Sequence, residues 1–151
     1  MEKLKKCILS SKFLFIAVII LSTIVILLML FPDLGSMLGA NFFIFWVLLA
    51  FSGIGLVVIT FREKISGKSK FFLLSSGFSS ACFLLGVVLH NLFYALGTLT
   101  EDLVILDVIL NLLEVVFFFA AVIICPIGLL VGVVGTLILW KESPTENTLD
   151  G

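Results

Sequence analysis

The chain has little of what soluble chemistry draws on. It holds one histidine and one tyrosine, three prolines and three cysteines, and only 13% of its 151 residues are charged, against about 25% in an ordinary globular domain. Each shortage excludes something. A single histidine cannot hold a haem between two imidazoles within one chain, and it cannot build the H-E-x-x-H helix of a zinc protease. Cys7, Cys82 and Cys125 are far apart and form no C-x-x-C pair, so neither a dithiol redox centre nor a disulfide framework is indicated. Cys82 and Cys125 read as small apolar packing residues. A serine–histidine dyad fails on reach, because the serines of "SSGFSSAC" lie more than two turns before His90 on the same helix. With a net charge of −1, nothing points to nucleic acid, and no cofactor is expected.

What is abundant is hydrocarbon. The chain is 62% hydrophobic with a mean hydropathy of +1.35, where soluble domains sit near about 45–50%. A domain this small leaves much of its surface exposed, so lipid is the solvent that fits. Four segments are long enough to cross about 30 Å of hydrocarbon: 13–31, 42–61, 71–97 and 115–140. The apolar core of the first is too long for a signal peptide, and "MLGAN" is a poor cleavage site, so a retained helix is expected. Residues 141–151, "KESPTENTLDG", read as a disordered polar tail. The whole chain reads as one membrane domain.

The lysines and arginines are segregated. Lys3, Lys5, Lys6 and Lys12 precede the first span, Arg62, Lys64, Lys68 and Lys70 lie between the second and third, and Lys141 follows the fourth. The other two connections carry Asp33, Glu101 and Asp102 and no basic residue. The positive-inside rule then predicts cytoplasmic N- and C-termini in a multi-pass protein of the cell membrane.

Helices in lipid associate through small residues. At 100° per residue, Ser75, Ser79, Cys82, Gly86, His90 and Gly97 fall on one side of the third span, which is predicted to face the bundle interior. In "CPIGLLVGVVG", Pro126 should kink the fourth span, and Gly128, Gly132 and Gly135 form a further packing face. The apolar stretch from Leu103 to Trp140 covers about 57 Å if helical, too long for one crossing without steep tilt. A split is therefore expected: an amphipathic segment over 101–114 at the outer interface, then a crossing over 115–140.

The polar residues gather towards the outer side. His90 lies about 28 Å along the third span, with Asn91 beside it and Tyr94 one turn on. Asp107, Asn111 and Glu114 share a face of the following segment at i, i+4 and i+7. Contact between His90 and Glu114 or Asp107 is predicted. Two readings are open for the six. They could form a polar cluster that couples helices, handles protons or binds a metal. Alternatively, the carboxylates are the wet face of an interfacial helix, and His90 is an ordinary packed residue.

Two stretches, "VVLHNLFY" and "CPIGLLVGVVG", carry a resemblance that covers about the C-terminal half of the chain. The pattern V-x-L-H-N-L-x-Y paired with C-P-x-G-x-L-V-G-x-V-G resembles a family of small, uncharacterised prokaryotic four-helix integral membrane proteins. The resemblance implies four transmembrane helices and no particular activity. The expected fold is all-α, a four-transmembrane-helix bundle with an outer amphipathic segment before the fourth helix. The expected function is a non-enzymatic structural, assembly or sensing component. The alternative is a small transporter or channel subunit acting as a homo-oligomer, with a proton- or ion-linked polar cluster near the outer face. The expected partners are the lipid bilayer and either another copy or a membrane partner.

Overall fold

A computed structural model describes residues 2–31, 33, 37–100 and 103–142, with backbone alone for 2–10, 40 and 142. Most of the expected tail, and Glu101 and Asp102, lie outside the described residues. The fold is all-α. Its helices are α1 (Glu2–Leu30), α2 (Phe42–Arg62), α3 (Gly67–Leu99), α4 (Val104–Phe119) and α5 (Cys125–Glu142). A short 3₁₀ turn, Gly39–Asn41, precedes α2, and a π turn, Ala120–Ile124, joins α4 to α5. Four helical stretches are long and apolar enough to cross a membrane: Ser11–Leu30, Phe42–Arg62, Gly67–Leu99 and Val104–Lys141.

One end of the bundle is basic. There Lys12 lies over the Trp140 ring at 5.5 Å and Lys70 over the Phe61 ring at 5.0 Å. Lys64, in the left-handed region at φ 51°, lies in the turn between α2 and α3. Gly67, at φ 69°, opens α3; glycine adopts this conformation without steric cost.

α3 is the central helix, packed on α2 along one side and on α4 and α5 along another. It meets each through small residues. On the α2 side, a Cβ at Gly53 would stand 2.6 Å from the Gly77 carbonyl oxygen, and one at Gly77 would stand 2.9 Å from the Gly53 oxygen. These backbones touch directly. Ser76 and Ser80, 0% and 1% exposed, flank this crossing and return their hydroxyls to Phe72 and Ser76 carbonyls. On the α5 side, the Ser75 hydroxyl donates to the Gly128 carbonyl at 2.8 Å. Gly128 packs on Ser79, Gly132 on Ser76 and Phe72, and Gly135 on the Phe72 ring. Gly86 seats Ala121 of the π turn. The Gly128–Gly132–Gly135 face is thus filled from within the chain.

Cys82 departs from the expected interior stripe: it is exposed, whereas Cys125 is buried. A single 100° stripe cannot describe a helix with two buried faces. The deepest small residues, Ser76, Gly77 and Ser80, lie one position round from Ser75 and Ser79, and Cys82 falls off both faces.

The expected break at 114/115 is also absent. α4 runs unbroken to Phe119, and the irregularity comes at Ala120–Ile124. Its cause is Pro126. Proline has no N–H to donate and its ring crowds the carbonyl four residues back. The chain widens by one residue just before it, and the Cys125 N–H bonds to the Ala120 oxygen, five residues back. Thus the kink predicted at Pro126 takes the form of a π turn.

Lengths differ along the bundle. The 21 residues of α2 rise about 32 Å, whereas the 33 of α3 rise about 50 Å. Trp46, near the start of α2, packs edge-on against Phe83 at 5.3 Å. Roughly the last dozen residues of α3 therefore continue past the start of α2, by about 18 Å. α4 runs back along this extension, held by the stacked rings of Phe93 and Phe117 at 5.4 Å.

Candidate functional site

The polar residues singled out in the sequence lie on the α3–α4 extension, but they do not converge on one centre. His90 and Glu114 meet. The His90 Nδ1 is 3.3 Å from the Glu114 backbone oxygen and 3.7 Å from its Oε1. Both neighbours are acceptors, so Nδ1 carries the proton in this arrangement and donates it to the carbonyl. The carboxylate lies just beyond hydrogen-bond reach. The two side chains are 28% and 22% exposed, and the Phe118 ring packs 5.3 Å from the imidazole.

The other members pair elsewhere. The Asn111 amide donates to the Asp107 Oδ1 at 3.0 Å within α4. Asn111 Oδ1 also comes within 3.4 Å of where a Gly97 Cβ would be, so this glycine gives the asparagine its place. Asn91 does not reach a neighbouring helix; its amide donates to the Val87 carbonyl of its own helix at 2.8 Å. Tyr94 is exposed. No group of three metal-ligating side chains comes together among the described residues.

The outward surface of α4 is largely hydrocarbon, unlike the wet face of an interfacial helix. Glu114 turns to His90 and Asn111 to Gly97, both on α3. The opposite face carries Ile105, Val108 and Leu112, which are 79%, 61% and 64% exposed. Packing explains this. The small residues Gly86 and Gly97 let α4 approach; Leu110 is its buried side chain, His90 gives the half-buried Glu114 a partner, and Asn111 stays exposed.

A second feature had no signal in the sequence. A cavity of about 230 Å³ lies between α1 and the π turn with α5, floored by α3. Val25, Met29, Leu49, Phe83, Val122 and Leu129 give it an apolar lining. Towards the basic end α1 and α5 meet at Phe15 and Trp140, whose rings are 5.1 Å apart. No local pattern encodes a cavity walled by helices so remote in sequence. No family model, no curated protein and no solved structure matches the chain, so its candidate sites are read from geometry alone.

Proposed function

We propose that this protein is a non-enzymatic assembly component of the cell membrane, with both termini in the cytoplasm and the α3–α4 extension on the outer side. It fits the family of small prokaryotic four-helix membrane proteins that its C-terminal half resembles. The observation that carries the reading is the outward apolar face of α4. An apolar helix face beyond the start of α2 is stable only if lipid or another polypeptide covers it, since large exposed apolar patches mark interaction surfaces. The segregated lysines and arginines support the orientation. The polar groups support the rest, for they pair within and between helices instead of lining the cavity. A photoreactive residue at Val108 or Leu112, activated in native membranes, tests the assembly role. Adducts with polypeptide are expected; lipid adducts alone would contradict it.

The second reading, a small transporter or channel subunit, draws on one observation: the ionisable pair His90–Glu114 sits at a helix contact within apolar spans that hold few such groups. Reconstitution into vesicles separates the two. The assembly reading expects proton and monovalent-ion flux no greater than in protein-free vesicles. A flux abolished by His90→Gln would favour transport.

A further inference from the structure

We propose that the cavity between α1 and α5 is a binding groove for one hydrocarbon chain of a membrane lipid, drawn from the leaflet on the side of the α1–α2 connection. The inference requires only that the bundle lies in a bilayer; it does not depend on the assembly reading. It rests on shape, placement and chemistry. Along α1 the walls run from Ser22 to Leu30, a rise of about 12 Å. Spread over that length, 230 Å³ is a bore of roughly 5 Å, and under about 8 Å with a contact shell added. A transmembrane helix needs about 10–12 Å and does not fit. A single polymethylene chain does.

The groove closes at the basic end. Phe15 meets Trp140 there, and Lys12 covers the indole. A chain therefore enters from the opposite end or sideways from the bilayer. Lys12 stands at the closed end, about 15 Å from Ser22 along α1, so the groove selects for a chain and not for an anionic headgroup. Its hydroxyls are withdrawn from the lumen: Ser22 donates to the Ile19 carbonyl and Ser80 to the Ser76 carbonyl, while Ser79 lies against Gly128. Lipid and protein interiors are equally apolar, so the gain is dispersion. An unfilled groove forfeits contacts along every wall, and a chain restores them.

The test uses the full chain in phosphatidylcholine vesicles containing a phosphatidylcholine with a diazirine in one acyl chain. Adducts are mapped by mass spectrometry. Labelling at Val25, Leu49 and Phe83 is expected to exceed, by several-fold, that at Phe51 and Ile127, which face outward. Met29→Trp and Val122→Trp, at half-exposed positions on opposite walls, should each fill the mouth and remove this excess while leaving Phe51 and Ile127 labelled. Labelling of the groove equal to that at Phe51 and Ile127 would mean ordinary surrounding lipid and would overturn the proposal. A photoreactive residue at Met29 that captured polypeptide would also overturn it, by showing that a protein segment occupies the site.

Discussion

The imidazole of His90 faces Glu114 twice, 3.3 Å from its backbone carbonyl oxygen and 3.7 Å from its carboxylate. This contact joins the end of α3 to the middle of α4 and gives the only histidine in the chain a partner on the neighbouring helix. Since part of the contact is to backbone, replacing Glu114 by glutamine removes the charge and leaves the carbonyl acceptor. His90→Gln and Glu114→Gln, alone and combined, should be coupled by about 1 kcal/mol in a double-mutant cycle of thermal unfolding in detergent. His90→Gln and Asp107→Asn should be additive, because Asp107 is bonded to Asn111 instead. Coupling at Asp107 and none at Glu114 would reverse the assignment.

The α2–α3 crossing predicts a sharp difference between two glycines of the same helix. A methyl at Gly53 meets the Gly77 carbonyl and the Ser80 Cβ at 2.6 and 2.8 Å, whereas one at Gly55 meets the flexible end of Leu14 at 3.3 Å. Gly53→Ala should lower stability by about 1–3 kcal/mol. Gly55→Ala should have a small effect. Equal melting temperatures for both variants would mean that the crossing is looser than described.

Glu63, which follows α2, is the site of a pH effect. Burial raises its carboxyl above the ordinary carboxylate range, and the nearby Ser11 side chain opposes this more weakly. Its two carboxylate oxygens are enclosed. A raised carboxyl binds its proton more tightly in the folded state, so stability falls as pH rises from the unfolded value through the folded one. The charged form is the costly one above that window. Glu63→Gln should therefore raise the melting temperature at neutral pH, and the difference should shrink towards pH 4. A lower melting temperature for the variant at neutral pH would contradict this.

The orientation is tested by labelling. In a chain with Cys7, Cys82 and Cys125 replaced by alanine, a cysteine at Met37 should react with a membrane-impermeant maleimide on intact cells, and one at Ser66 should react only after the cells are opened. Both positions are exposed. The reverse pattern would invert the topology.

Much of this architecture is legible in the sequence, and the reasons are local. Long apolar runs mark the four spans, because the bilayer sets their length. Gly86, Gly128, Gly132 and Gly135 stand out as seats for close helix approach, and the packing uses them. The wheel that placed Ser75 and Ser79 correctly missed Ser76, Gly77 and Ser80, since a central helix buries two faces and one periodicity describes one. The length of the last apolar run and its polar residues suggest a split at 114/115, but the irregularity comes at Ala120–Ile124, just before Pro126, where a kink is also expected. His90 and Glu114 were brought together by topology: a short connection, then an antiparallel helix. The direction in which α4 turns Glu114 depends on what α3 offers it. The groove depends on two helices that are remote in sequence. Neither is written in any one segment.

The central claim is that α4 turns Glu114 to His90 on α3 and an apolar face towards lipid or protein. Single cysteines at Ile105, Val108 and Leu112, in the cysteine-free chain and in open membrane fragments, test it most directly. With Met37→Cys as the reference, the account predicts that a water-soluble maleimide labels Met37→Cys readily and these three slowly, and that detergent removes much of the difference. Labelling of all three as fast as Met37→Cys in the membrane would place the apolar face of α4 in water and contradict the account.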